Sequence, residues 1–539
     1  MATTIGTTPD APDVVVIGAG FSGLHAVWRL RAEGLTVTAF EAGDDVGGVW
    51  YRNRYPGAQT DTPQEAYQYT FDPELLVDWE YSRRLPPQKE VHAYLRYVAD
   101  RYELHKHFSF GTTVKTAVFD ETTDRWRITT SDGRVVNPRF LVTALGAVSE
   151  PVRPDIEGVD SFAGEVLFTN RWPDTDVELV GKRIALIGTG SSGVQITPHL
   201  AKAAAHLTVF QRTPNYVLPS GNRDVNEADR IELRENYADV RRRVRGHHAG
   251  FPFEHAVGRL AVKTPDEERE RIFEEAWQRG GFSFFYEAFD DIDADDEANA
   301  LAAEFIRSKI RTIVNDAATA ETLSPYYHYG VKRPPTGDGY YESFNEPHVD
   351  LINLRATPIE RITADSIIVD GRDIPIDIIV FATGFDIGVG SYNRIDIQGR
   401  DGERLSDHWS EGPSTYIGVA VSGFPNMFMI AGPHSPFANI PPGAENVGNW
   451  IAGLIAHMRS RGANVAEAVA AAEKAWGEHV IESAGDGFIE QAAQSNSWLV
   501  GANIENRRHA ITVYLGGHDL YADRLDVEAE GGYPGFSLT

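Results

Sequence analysis

The chain of 539 residues contains no cysteine. That excludes disulfides and thiolate metal sites, and it removes the two-nucleotide flavoenzymes that pass electrons through a redox cysteine pair. Long hydrophobic runs are missing too. The longer ones, such as Ile184 to Ile187 or Ile378 to Ala382, fall far short of the ~20 apolar residues that cross a bilayer. The first residues lack the basic and apolar segments of a signal peptide, so the expected location is cytoplasmic. Basic residues are outnumbered, with 50 Lys and Arg against 78 Asp and Glu and a formal net charge of −28. Nucleic acids and anionic membranes are repelled at long range by such a charge, and neither is an expected partner. Neither H-e-x-x-H nor G-x-S-x-G occurs, so zincin and serine-hydrolase chemistry lack their starting residues, and no metal is expected.

What is present is one phosphate-binding unit written twice. The first copy has an apolar stretch at Val14 to Ile17, then Gly18-Ala19-Gly20-Phe21-Ser22-Gly23. An amphipathic run follows, and the unit ends at Leu35 to Phe40 and Glu41. The second repeats it at Ile184 to Ile187, Gly188-Thr189-Gly190-Ser191-Ser192-Gly193, Gln195 in the helical run, and Leu207 to Phe210. Strand, glycine turn and helix place a pyrophosphate on a helix N-terminus, and the residue ending the second strand reads the ribose. The two copies differ at that residue. Glu41 accepts from a ribose hydroxyl and suits FAD, whereas Gln211-Arg212-Thr213 offers a guanidinium to a 2′-phosphate and suits NADPH. Two nucleotide sites on one chain imply electron transfer between two cofactors.

The fold expected is α/β, with two Rossmann-like dinucleotide-binding domains and a helical insertion. A first part of the FAD domain spans 12–146, after a flexible arm at 1–12. Residues 151–173 read as a linker. Counted with this linker, the NADPH domain spans 151–219 and resumes at 326–380, interrupted by the helical insertion at 220–325. The FAD domain returns at 387–539 with a C-terminal segment. Within the insertion, Thr264 as N-cap, Pro265 at the first position and Gly280-Gly281 at the exit mark one helix. Another is expected over 444–460.

Further motifs make the reading specific. Gly47-Gly48-Val49-Trp50-Tyr51-Arg52-Asn53-Arg54-Tyr55-Pro56-Gly57 leads to Asp61. Phe162 and Gly164 precede Trp172-Pro173, and Phe381-Ala382-Thr383-Gly384-Phe385-Asp386 and Lys332-Arg333 follow. From about 13 to 539 this pattern resembles the type I Baeyer–Villiger monooxygenases. One position departs: Phe168 stands where that family's linker signature has histidine. A phenyl ring packs, whereas an imidazole also hydrogen-bonds.

The resemblance implies a chemistry. NADPH reduces FAD, O2 then forms a C4a-peroxyflavin, and this peroxide attacks a ketone to give an ester or lactone. It also implies roles. Arg333 matches the catalytic arginine and Asp61 the acid that orients it. Lys332, Arg212 and Thr213 match the 2′-phosphate contacts, Trp50 and Tyr67 the flavin lining, and Trp498 a residue on the nicotinamide side. Each has a plainer alternative in a surface ion pair, a loop cap or core burial. At the level of function, a flavin-dependent S- or N-oxygenase and an inactive flavin-binding redox sensor remain open.

Overall fold

A computed structural model describes residues 11–253 and 255–539. The arm expected at 1–12 lies mostly outside these residues.

The first nucleotide-binding unit forms where four consecutive apolar residues cannot face water on either side. Strand β1 (Val14–Ile17) is buried at every position, the signature of a parallel strand covered on both faces. Helix α1 (Phe21–Ala32) starts at Gly20 and buries Leu24, Val27 and Leu30, and strand β2 (Val37–Phe40) returns beside β1 in parallel. Phe140–Thr143 pairs with β1 on its other side, and Met427–Met429 pairs outside that. The chain therefore leaves this sheet for nearly three hundred residues and comes back to finish it. Helix α1 packs on the long helix Ile440–Arg461. That helix starts earlier than the sequence pattern indicated, because Pro441 and Pro442 need no backbone donor in a first turn.

The second unit repeats the arrangement with strand β3 (Arg183–Ile187), helix α2 (Ser191–Ala203) and strand β4 (His206–Gln211). Its parallel sheet runs Val349–Asn353, β4, β3, Ile378–Phe381, Glu165–Phe168. Part of the stretch expected as linker is thus an edge strand of this sheet. Phe168 lies opposite Phe381 in its register, and the two rings stack at 5.1 Å.

Helices Glu227–Glu235, Tyr237–Gly246, Asp266–Arg279, Asp296–Ile313 and Ala317–Leu323 lie between β4 and the next strand. Phe273, Phe284 and Phe305 from this stretch share one core with Ile184 and Val209 of the second sheet. Helix Asp266–Arg279 differs in detail from its sequence signature. Pro265 occupies the capping position, and the Thr264 hydroxyl donates to the Leu260 carbonyl (2.8 Å) rather than accepting from the helix. Among the described residues no helix is long and apolar enough to cross a membrane.

Candidate active site

The two glycine turns have the same construction. Gly18 has φ +108 and Gly188 has φ +109, both in the region that disfavours a side chain. A Cβ on Gly18 would sit 2.3 Å from the Ala144 carbonyl oxygen, and one on Gly188 would sit 2.4 Å from that of Ala382. Gly23 and Gly193 let each helix touch its own turn, since a Cβ there would strike the Gly18 or Gly188 carbonyl oxygen. Gly20 and Gly190 stand at the helix starts in extended conformation, and a Cβ on Gly190 would meet nothing within 4 Å. Each helix thus opens on a first turn with no side-chain cap, facing open space at Gly190 and the backbone of Gly48 at Gly20, which fits a pyrophosphate.

The surroundings fit the two nucleotides assigned from sequence. Glu41 is buried at the end of β2, and its carboxylate accepts from the backbone N–H of Ala19 (2.8 Å) and of Gly43 (2.6 Å). It is fixed beside the first turn, where a ribose would lie. Gly48 faces Gly20 across that turn, with φ +56 and no room for a Cβ against Gly20 Cα at 3.0 Å. Trp50 follows Gly48, and its Nε1 donates to the Tyr67 hydroxyl (3.1 Å). The two rings meet edge to face at 5.6 Å and pack into the core of the first unit.

At the second unit the cations gather. Gln211 turns inward to donate to the Thr322 carbonyl (2.8 Å), leaving Arg212 exposed at the end of β4. Lys332 lies near enough to Arg212 to be affected by its charge. Burial, with the Arg212 and Arg355 guanidinium groups, pulls the Lys332 ammonium down from 10.5 to about 8. Arg355 donates to Thr213 Oγ1 (3.2 Å). None of the three cations forms an ion pair among the described residues. Three cations that feel one another's charge, with no ion-pair partner among the described residues, could hold a dianion such as a 2′-phosphate. Sequence reasoning did not single out Arg355. It sits two residues past Val349–Asn353, and only the pairing of that strand with β4 brings it to Thr213.

Between the two units lie Asp61 and Arg333, in contact as an ion pair. Asp61 is brought there by the loop 51–61, which crosses from the first unit onto α2, and Arg333 by the stretch that follows the insertion. Tyr55 donates to Gln195 Oε1 (2.8 Å), and the Gln195 amide donates to the Gln59 carbonyl (3.2 Å). Gly57 sits so close to α2 that a Cβ would collide with the Gln195 carbonyl oxygen and the His199 ring. Arg333 also donates to Ser191 Oγ (3.2 Å), and its guanidinium lies 5.3 Å from the centre of the Phe282 ring. Burial pulls the arginine down from 12.5 to about 10, so it stays cationic at neutral pH. Thr189 is buried beneath this turn, its hydroxyl donating to the Thr213 carbonyl (3.4 Å).

Phe282, beside Arg333, belongs to an aromatic pair, and a second pair involves Trp498. Phe282 packs on Phe251 at 5.2 Å, and Phe437 meets Trp498 edge to face at 5.6 Å. Phe251, Phe282 and Phe437 carry no sequence signal beyond being aromatic; the Phe251–Phe282 and Phe437–Trp498 contacts each join residues far apart in the chain. His434 is buried in loop structure. Its Nε2 lies 3.2 Å from the Ile511 carbonyl oxygen, and burial lowers it to about 4, so it is neutral.

Comparison with known proteins agrees with this geometry. Residues 11–229 match a family model described as flavin-binding monooxygenase-like. A phenazine N-monooxygenase, PhzNO1, of Lysobacter antibioticus is 42% identical over 98% of this chain and 97% of its own. A Baeyer–Villiger monooxygenase of Pseudooceanicola batsensis is 41% identical over 97% and 95%. The crystal structure of cyclohexanone monooxygenase from Rhodococcus sp. Phi1, bound to NADP+, superimposes with a TM-score of 0.95 at 40% identity, covering 98% of this chain and 99% of that one. With a paired arginine set between two complete nucleotide-binding units and full-length similarity of this degree, the chain belongs to the flavin-binding monooxygenase-like family, in its Baeyer–Villiger branch.

Proposed function

We propose that the protein is an NADPH- and FAD-dependent Baeyer–Villiger monooxygenase, inserting one oxygen atom of O2 beside a ketone carbonyl to give an ester or lactone. FAD, once reduced by NADPH, supplies the activation of O2. The observation that carries the reading is the Asp61–Arg333 pair in the gap between the two nucleotide units. In this reading the flavin domain comprises 12–146 and 387–539, the NADPH domain 151–219 and 326–380, and residues 220–325 are the insertion between.

The chain's own residues have separable tasks. Gly18, Gly20, Gly23, Gly48 and Glu41 hold the FAD diphosphate and ribose, with Trp50 and Tyr67 against the flavin. Gly188, Thr189, Gly190, Ser191, Ser192, Gly193 and Gln195 hold the NADPH diphosphate side, and Arg212, Thr213, Lys332 and Arg355 grip the 2′-phosphate. Arg333 places a fixed positive charge where negative charge develops on the attacking oxygen and then on the former carbonyl oxygen of the ketone. Asp61 keeps the guanidinium aimed without neutralising the whole fork, since Arg333 retains other donors. Phe251, Phe282 and Phe437 exclude water, which strengthens that electrostatic contact. Trp498 covers the nicotinamide side.

The similarity to a phenazine N-monooxygenase favours heteroatom oxygenation as the second reading, because activated oxygen can also be taken by a nucleophilic nitrogen. One experiment separates them: the purified holoenzyme is given NADPH with ketones, sulfides and N-heteroaromatics in parallel. Ketone-stimulated NADPH oxidation with an ester or lactone product supports the main reading. Sulfoxide or N-oxide as the only product supports the second, and no product from any acceptor defeats both.

A further inference from the structure

Segment 495–512 carries Trp498 and is barely an element at all. It folds back on itself through few backbone bonds, from Ala510 to the Val500 carbonyl (3.2 Å) and from Thr512 to that of Leu499 (3.0 Å). Besides an exposed ion pair between Arg508 and Glu411, its outward anchors fall on three separate parts of the fold. The Thr512 carbonyl accepts from the His434 N–H (2.9 Å), near the turn that leads to Phe437. Asn496 donates to Thr213 Oγ1 at 3.4 Å, in the cation cluster. Arg507 grips Asp386 with both arms of its fork, one at 2.6 Å, and Asn503 donates to the Phe385 carbonyl (2.8 Å). Phe385 and Asp386 lie just past Ile378–Phe381, where the chain leaves the second sheet.

These anchors are unequal. The Asn496 bond is long and weak. The Arg507–Asp386 pair is bidentate and charge-assisted, with side chains only 23% and 16% exposed, well outside the class of exposed ion pairs that contribute little. Gly501 fits beneath it, since a Cβ there would stand 3.0 Å from Arg507 Cδ. We propose that Arg507 is a positioning residue of the oxygenation reaction. By clasping Asp386 it holds segment 495–512 closed, so that Trp498 and Asn496 are presented to the nicotinamide nucleotide. The inference rests on the assignment of the second unit to NADPH, and extends it to a residue far from any glycine motif.

The clasp is tested on FAD-loaded enzyme carrying Arg507→Ala, Asp386→Asn or both, the second being isosteric should the first fail to fold. NADP+ dissociation constants are measured by calorimetry, with flavin content, Tm and subtilisin cleavage within 495–512 alongside. Each single variant is expected to weaken NADP+ about tenfold and to be cut faster in the segment, with parental Tm and flavin content. In turnover the KM for NADPH rises more than kcat falls. The double variant should be no worse than the singles, because one interaction is lost in each. NADP+ affinity within about twofold of the parent in the folded singles, additive losses, or a loss that tracks a fallen Tm would each overturn the proposal. The binding readout needs no ketone, so a parent that makes no ester defeats the assigned activity and leaves this test standing.

Discussion

Arg355 shows what a single side chain adds that no motif announces. Arg212 is legible because it ends a glycine-turn unit at a fixed spacing, and Lys332 because it precedes Arg333. Arg355 is reached only through the parallel pairing of Val349–Asn353 with β4. Its prediction belongs with theirs: Arg212→Ala, Lys332→Ala and Arg355→Ala should each raise the KM for NADPH by about tenfold or more while leaving NADH nearly unchanged, the scale of one charge-assisted hydrogen bond. Equal losses for both nucleotides would remove these residues from the 2′-phosphate site. The depressed Lys332 adds a proton test. Its folded value near 8 lies below its ordinary 10.5, so the unfolded chain binds more protons between those values and stability gains from this group as pH rises through that window. A bound 2′-phosphate stabilises the ammonium again. NADP+ binding should therefore take up a proton near pH 8 to 9 where NAD+ binding takes up none, read by calorimetry in buffers of different ionisation enthalpy.

Among the elements, the strands and helices of the two nucleotide units were legible because glycine turns and buried apolar quartets leave few alternatives. The edge strand Glu165–Phe168 was not, since edge strands bury little and its partner lies two hundred residues away in Ile378–Phe381. Phe168 makes sense once that pairing is known. It stacks on Phe381 and so joins the two strands that lead into and out of the second sheet by packing. The natural phenylalanine should support activity, and Phe168→Ala should cost about 2 kcal/mol of stability in denaturant unfolding, below the loss for a fully buried ring. Activity appearing only in Phe168→His would contradict this. A second clamp joins the loop around 403–422 to helix Ala470–Ala484. His408 lies 2.9 Å from Glu473 and 3.0 Å from Glu403, and these carboxylates, Glu473 foremost, raise it from 6.5 to about 9. Its folded value exceeds the unfolded one, so its contribution is complete below pH 6.5 and is lost as pH rises through 9. The Tm gap between the parent and His408→Gln should shrink across that range; a gap constant from pH 6 to 10 would show that the imidazolium is not what the clamp uses.

For the whole molecule, the order of the chain explains both what sequence could tell and what it could not. Each nucleotide unit is local, so it can be read within about thirty residues. In the proposed function the reaction site is assembled between units, with Asp61 from the loop after the first, Arg333 after the insertion, Phe282 from within it, and Phe437 and Trp498 from the returning C-terminal part. Family resemblance pointed to Asp61, Arg333 and Trp498, while the phenylalanine wall and the Arg507 clasp required coordinates. The central claim is that Arg333 serves oxygenation and not hydride transfer, because a flavin accepts hydride without a peroxide-stabilising cation. The direct measurement is ester and hydrogen peroxide formed per NADPH consumed by Arg333→Ala, with flavin reduction followed in the same sample. NADPH-dependent bleaching of the flavin should persist while ester yield falls about a hundredfold or more, with peroxide taking its place. Ester yield equal to the parent's, with no rise in peroxide, would contradict the account.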